Sequence, residues 1–514
     1  MIALPFDFAT ISAKLPAVVK PIQKMTFRDK MKWTGIILIL YYALGVVTVW
    51  GINTSAVAQF EFLEIVFGSK FGSLLTLGIG PIVTASIILQ LLVGSKLIGW
   101  DMQTKEGRAK FMGAQKILTV FFCFVEAIAY VVSGAIPAAA PELTAIVVLQ
   151  LAAGGILIMF MDEVCSKWGF GSGVSIFIAA GVSKTIITRI FSPLSTGGEG
   201  GFAGILPQFI SLLSMGNPGS AFVTFLPLIS TAVVFIIVLF AQGMRVEIPM
   251  AFTFPFGKFA ARRWPLKFIY TSNIPVILTA AVLANLQIVG RLLFQKGITW
   301  FGTYDVKTSM PQSGLALFLV HPSGAEALPL VTISILAGLL ALTFAFVGLR
   351  MLKKWPLRMA LLGGAIGALL GWGIMTVTGM MPAFDAWLLL VARALVYMLI
   401  MIIGSVIFSI FWVNTAGMDA HTVSEQFKSA MISIPGFRHD PRIIERVLER
   451  YIPALAVLGG AFIGFLAGFA DLTLALGTGT GILLTVMIVH QFYEQISSQH
   501  ADDMPPIMKK IVGE

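Results

Sequence analysis

Charge and cysteine are both scarce in this chain, and each shortage closes off a class of function. Asp, Glu, Lys and Arg make up only 12% of its 514 residues, too few to cover the surface of a water-soluble protein of that size. The two cysteines, Cys123 and Cys165, fall in or at the end of apolar segments, so neither a disulfide framework nor a metal centre is expected and no cofactor is implied. The five histidines lie in loops or at segment ends, and no Ser/His/Asp, paired-carboxylate or HExxH arrangement occurs in the apolar segments. Catalysis has no visible machinery, so the chain is not expected to be an enzyme. The absence of a P-loop leaves any transport without an energy source of its own. Met1 to Lys32 has no apolar core of signal-peptide length, so the first apolar segment is expected to anchor the protein.

Apolar residues are what the chain has in quantity. At 57% hydrophobic residues and a mean hydropathy of +0.91, it reads as an all-α polytopic membrane protein. Windows of roughly 20 apolar residues fall near 33–50, 76–96, 114–136, 143–161, 171–191, 222–243, 273–294, 329–351, 357–381, 386–413, 452–470 and 474–492, twelve spans in all. With the N-terminus inside, 28 of the 35 Lys and Arg lie on the inner side. The positive-inside rule therefore puts both termini in the cytoplasm.

Two inner loops, 245–272 and 414–451, are longer than a turn requires and mix basic residues with Pro, Gly and aromatics. They read as ordered projections, and two on one side make a docking surface for a large anionic partner, ribosomal RNA being one candidate. On the outer side, 192–221 is rich in Gly, Ser and Pro and reads as a mobile linker. The chain divides into a cytoplasmic segment 1–32, a first half 33–191, that linker, a second half 222–492 and a tail 493–514.

The second span opens with Gly78-Ile-Gly-Pro81 and follows a stretch, 57–71, that carries Glu61, Glu64 and Lys70 among aromatics. Lipid cannot solvate those charges. The stretch is either a short interfacial helix or a half-helix that lines or closes an aqueous cavity. Pro81-Ile-Val-Thr-Ala in the second span and Pro275-Val-Ile-Leu-Thr-Ala in the seventh occupy spans of opposite direction, the pattern of an inverted repeat with its site between the halves. Polar side chains inside spans are Thr84, Gln90, Glu126, Asn285 and Gln287. An Asn or Gln there commonly bonds a neighbouring helix, whereas Glu126 needs a partner, a proton or water.

Several runs resemble the SecY family of archaeal protein-conducting channel subunits, related to the alpha subunit of the eukaryotic Sec translocon. They are T-L-G-I-G-P-I-V-T-A (76–85), C-F-V-E-A (123–127), G-S-G-V-S-I-F-I-A-A-G-V-S (171–183), M-R-V-E-I-P (244–249), S-N-I-P-V-I-L (272–278), A-N-L-Q (284–287), I-F-W-V (410–413), E-R-Y-I-P (449–453) and A-L-G-T-G-T-G-I-L-L-T-V (475–486). The resemblance implies two inverted five-helix halves forming a clamshell around a pore that opens sideways to lipid. It implies a constriction ring at Ile79, Val83, Val174, Ile178, Ile277 and Leu484, and a plug over 57–71 that includes Phe60, Glu61, Phe62, Glu64 and Ile65. It further implies a polar cluster at the lateral gate, Thr84, Glu126 and Asn285, and ribosome-docking loops in which Arg245 and Arg438 match contact positions, with Lys258, Arg262 and Arg263 beside them.

The implied partners are SecE and the archaeal beta subunit, a ribosome with its nascent chain, signal sequences, unfolded polypeptides, membrane lipid and other Sec accessory proteins. The implied location is the cell membrane. One departure is plain: 329–381 forms an apolar hairpin beyond the family's ten spans. On the residues alone a secondary transporter for a small solute is the rival, since broken helices and inverted repeats are shared with that class.

Overall fold

The computed structural model describes residues 16, 18–23, 25–52, 72–94, 97–100, 104–132, 136–193, 201–253, 259–271, 274–305, 311–322, 328–347, 356–377, 384–429, 432–433, 441–477 and 479–500. In chain order the helices are α1 (Phe27–Leu44), α2 (Gly80–Gly94), α3 (Lys105–Val132), α4 (Thr144–Trp168), α5 (Gly173–Phe191), α6 (Ile205–Ser214), α7 (Pro218–Gly243), α8 (Ile274–Gln295), α9 (Leu315–Phe318), α10 (Leu328–Val347), α11 (Pro356–Val377), α12 (Phe384–Thr415), α13 (Ala420–Ser429), α14 (Pro441–Leu472) and α15 (Gly479–His500). Each of the twelve apolar windows overlaps one of these helices, though the boundaries differ. Seven helices, among the described residues, are long and apolar enough to cross a membrane.

The second window differs in a way that matters for the site. Only its later part is helix: α2 has 15 residues, about 22 Å at 1.5 Å per residue, short of the roughly 30 Å hydrocarbon core. The chain reaches it through turns, with Gly78 at φ 53, and Pro81 sits in its first turn, where the missing amide proton costs nothing. A half-helix with irregular backbone before it survives in a membrane only when protein covers that backbone. Here α4 does so. A Cβ on Gly154 would come within 1.7 Å of the Leu74 carbonyl oxygen, so a glycine is what lets α4 lie on the 72–79 turn.

Both cysteines are buried. Cys123 Sγ lies 2.8 Å from where a Cβ on Gly155 would stand, the setting of a small packing residue. At the N-terminal side, Lys116 Nζ donates to the Pro16 carbonyl at 2.6 Å and Trp168 Nε1 to the Val19 carbonyl at 2.8 Å. Pro16 and Val19 are thereby held on α3 and on the end of α4.

The two long basic loops are not separate projections. The first folds into a hairpin of β1 (Arg245–Thr253) and β2 (Phe259–Lys267), registered from Arg245 opposite Lys267 to Thr253 opposite Phe259. The second adds β3 (Ile432–Ser433) to the free side of β1. Beneath the sheet, Ile248 and Leu266 join Val423, Ile444, Leu448 and Ile452 in one apolar cluster, and Trp264 meets Phe427 edge to face at 4.8 Å. The Tyr270 hydroxyl donates to the Met418 carbonyl at 2.8 Å. Burial pushes that phenol up to about 12, and the Asp419 carboxylate adds to the rise.

The stretch 192–221, expected as a mobile linker, contains α6. Its Ile205 and Leu212 are buried, and Phe209 stacks obliquely on Phe225 of α7 at 5.0 Å. Apolar residues at helical spacing pull it onto its neighbour despite the surrounding Gly and Pro.

The extra hairpin 329–381 is α10 and α11. A Cβ on Gly363 or Gly367 would approach the Leu340 or Leu336 carbonyl oxygen to 2.3 Å, the close backbone approach that small residues permit between membrane helices. Val331 and Ile335 of α10 pack with Leu226 of α7, which attaches the pair to the bundle.

Candidate functional site

Six branched aliphatic side chains from four parts of the chain converge on one apolar cluster. Ile79 and Val83 come from the turn before α2 and its first turn, and the Val83 amide donates to the Ile79 carbonyl at 3.0 Å. Val174 and Ile178 are four residues apart on α5 and so share a face. Ile277 comes from the first turn of α8 and Leu484 from α15. Ile79, Val83, Ile178 and Leu484 are buried in the cluster, and Val174 and Ile277 pack against it half-buried. Such a surface offers no hydrogen bond and no charge, so it can contact an apolar or extended chain by shape alone, and it dewets when empty.

Val174 owes its placement to a residue the sequence did not flag. The Asp162 carboxylate of α4 accepts from the Val174 amide at 2.9 Å and from the Ser172 hydroxyl at 3.3 Å. It satisfies free amide protons at the start of α5 from a neighbouring helix. The available signal was an acidic residue ten positions ahead of Ser172 in the Gly171-Ser-Gly173 turn.

Thr84, Glu126 and Asn285 meet in one hydrogen-bonded chain across α2, α3 and α8. Thr84 donates from its hydroxyl to Glu126 Oε1 at 2.8 Å, and Asn285 Nδ2 donates to the same hydroxyl oxygen at 3.2 Å. Thr84 is the link, since its hydroxyl can donate and accept at once. Glu126 is 8% exposed, and its Oε2 has no hydrogen-bond partner among the described residues. A buried acceptor left open is a standing cost of about 1–3 kcal/mol, which marks the seam as a place where packing is not at its optimum.

The other polar candidates lie elsewhere. Gln287 Nε2 donates to the Ala316 carbonyl at 3.0 Å, and Tyr304 donates to Gln287 Oε1 at 3.1 Å, tying α8 to the loop beyond it. Gln90 Nε2 bonds Ser86 Oγ at 2.8 Å within α2.

Of the basic-loop residues, Arg245 Nη2 lies 3.6 Å from Glu494 Oε1. Lys267 pairs with the same carboxylate, and His490 Nε2 stands 3.5 Å from it. Glu494, near the end of α15, thus gathers the base of the hairpin, a role no local sequence feature announces. Arg263 Nη1 bonds Glu247 Oε2 at 2.8 Å across the strands and remains exposed. Arg262 lies opposite Met250 in the hairpin register. Lys258 and Arg438 fall outside the described residues.

The plug positions Phe60, Glu61, Phe62, Glu64 and Ile65 also fall outside them. The described residues on either side of that stretch, however, are bonded to each other. The Val49 amide donates to the Gly72 carbonyl at 2.9 Å and the Leu74 amide to the Val47 carbonyl at 2.8 Å.

Comparison with known proteins places this geometry in context. The family model described as SecY matches residues 73–493. The protein translocase subunit SecY of Methanocaldococcus jannaschii is 38% identical over 98% of each chain. A solved protein-conducting channel superposes with a TM-score of 0.74 at 38% identity, covering 96% of this chain and 97% of its own. Sec61 in the canine ribosome–channel complex from the endoplasmic reticulum does so with a TM-score of 0.71 at 37% identity, covering 96% and 97%.

Proposed function

The chain belongs to the SecY family, and from that premise we propose how its residues conduct polypeptide. It is a multi-pass membrane protein and the pore-forming subunit of a protein translocase, a channel through which unfolded polypeptide passes and from which apolar helices leave into lipid. The ring of Ile79, Val83, Val174, Ile178, Ile277 and Leu484 is its constriction. A ring of aliphatics grips a moving chain without fixed hydrogen bonds, so passage is blind to sequence. The segment 57–71, whose flanking residues Val47 to Val49 and Gly72 to Leu74 are bonded to each other, is the stopper on its outer side.

The observation that carries the reading is the Asn285–Thr84–Glu126 chain across α8, α2 and α3. These helices come from both halves, so the aliphatic packing between the halves is interrupted here by a short run of polar groups. A hydrophobic signal helix competes for such a seam, because its own apolar contacts replace weak ones.

The termini and the basic sheet face the cytoplasm of the cell membrane, as the placement of Lys and Arg favours. The sheet formed by both basic loops docks the ribosome, a reading supported by the ribosome-bound relative. SecE and the archaeal beta subunit complete the complex, and the ribosome or another partner supplies the drive.

The test is crosslinking of a stalled nascent chain to a photoreactive probe at Val83 or Ile277 in reconstituted membranes. Labelling that requires a functional signal sequence is expected. Equal labelling by a chain whose signal is disrupted, or no labelling at either position, overturns the reading.

A further inference from the structure

The joint between the two halves carries a surface that the channel reading does not use. Helix α6 has two apolar stripes. One, with Ile205, Phe209 and Leu212, faces α7. The other, Leu206, Ile210 and Leu213, is spaced i, i+4, i+7 and so forms a single line, and within it Ile210 is 65% and Leu213 48% exposed.

Beside this second stripe lies a groove of about 470 Å³, lined by Phe191, Phe202, Leu206, Pro207, Ile210 and two serines. Water is a poor occupant for such a lining. Left in water, an uninterrupted apolar line of this kind would be an aggregation site.

Three observations say what covers it. The run from Gly200 to Met244 contains no charged residue, unlike a linker built to face water. Phe209 stacks on Phe225, seven residues into α7, so α6 stands beside the first turns of an apolar span rather than beyond its end. Phe191 of the groove is four residues from Ile187 on α5 and so shares a face with it, and both are exposed, as is Phe222 of α7, so apolar surface runs on from the groove along the span.

The position of α6 is fixed. The Gly204 amide donates to the Ser192 carbonyl at 3.0 Å, and a Cβ on Gly204 would come within 2.5 Å of that oxygen. At the other end of α7 the basic hairpin begins, roughly 39 Å away along a 26-residue helix. The surface therefore belongs to the leaflet opposite the basic sheet.

We propose that α6 is an in-plane membrane anchor whose groove, between the end of α5 and α6, holds an acyl chain of a lipid in that leaflet. The helix is too short to span and apolar enough to bury one face in the acyl boundary. Because it joins the halves, the lipid it holds bears on the joint about which they move. The inference rests on the chain spanning a bilayer and not on what it conducts.

The test uses the full chain reconstituted in phosphatidylcholine vesicles. A bimane fluorophore is attached to Ile210→Cys, Leu213→Cys or, for comparison, Asn217→Cys just past the helix; the native Cys123 and Cys165 are buried. Lipids brominated on the acyl chain are expected to quench the first two at least about twofold more than the third, and iodide to show the reverse order. If Ile210→Cys and Leu213→Cys are quenched by iodide as strongly as Asn217→Cys, the stripe faces water and the proposal fails. If neither quencher reaches them, a protein segment covers the groove and the proposal also fails. A label at Phe202→Cys, in the same groove, gives an independent reading should Ile210→Cys reconstitute poorly.

Discussion

Asn285 and Thr84 are joined by a single hydrogen bond of 3.2 Å from amide to hydroxyl, although 201 positions separate them in the chain. The bond ties α8 to α2, and Thr84 passes it on to Glu126 on α3. Three helices thus meet through groups that hydrocarbon cannot solvate.

Replacing Asn285 by leucine removes that bond and adds apolar surface to the seam. Interhelical hydrogen bonds in membranes average about 0.6 kcal/mol, a small loss beside the many side-chain contacts a leucine adds across the seam. Asn285→Leu is therefore expected to favour the closed gate and raise the hydrophobicity a signal helix needs for insertion. A reconstituted insertion assay with signals of graded leucine content measures the threshold, and an unchanged value counts against the gate.

Thr84→Val removes both bonds at once and leaves both Glu126 carboxylate oxygens, in place of one, without a partner among the described residues. A loss of about 1–3 kcal/mol follows. Thr84→Ser keeps the hydroxyl and is expected to retain most of the stability. Thermal unfolding of the purified protein in detergent distinguishes the two, and equal midpoints would sink the account.

Gly154→Ala places a methyl 1.7 Å from the Leu74 carbonyl oxygen. Backbone has to move, at a cost of at least about 1–3 kcal/mol, and the part displaced is the turn that presents Ile79. Both the folded yield and the signal-dependent crosslink at Val83 are expected to fall. Gly373→Ala, which meets nothing within 4 Å, is the matched control and should change neither.

Reversing the charge at Arg245 and Arg438 together is expected to weaken ribosome binding while leaving folded protein in the membrane. The dependence of affinity on salt should flatten, since fewer phosphates are neutralised. Binding titrations at two ionic strengths check both. Glu494→Gln, which frees Arg245 and Lys267 from a shared carboxylate, should move affinity the other way.

Helices were legible because lipid removes the alternatives. A run of about 20 apolar residues has little choice but to satisfy its own backbone, so a helix overlaps every window. Where the chain leaves that constraint, local pattern ran out. The strands at Arg245–Thr253 and Ile432–Ser433 pair across about 180 residues of sequence, and no local period announces such a partner. Helix α6 was hidden in a composition of Gly, Ser and Pro that reads as linker, because Ile205, Phe209 and Leu212 matter only once α7 is beside them.

The candidate site divides in the same way. Thr84, Glu126 and Asn285 stood out as polar groups where polar groups are costly, and resemblance to a family grouped them. That Thr84 is the bridge and that Glu126 Oε2 goes unpartnered among the described residues depended on the distances between three helices.

By itself the sequence determined that the chain crosses a membrane many times, which way its basic loops lean, and which aliphatic and polar residues are candidates for a pore and its seam. Those are consequences of the solvent, since hydrocarbon sorts side chains by polarity wherever they sit in the chain. Only the tertiary structure decided that α2 is a half-helix carried on Gly154, that Asp162 fixes the start of α5, that two loops share one sheet, and that the aliphatic six gather in one cluster. Each depends on close approach between distant segments, and approach is set by packing of the whole bundle rather than by any window of residues.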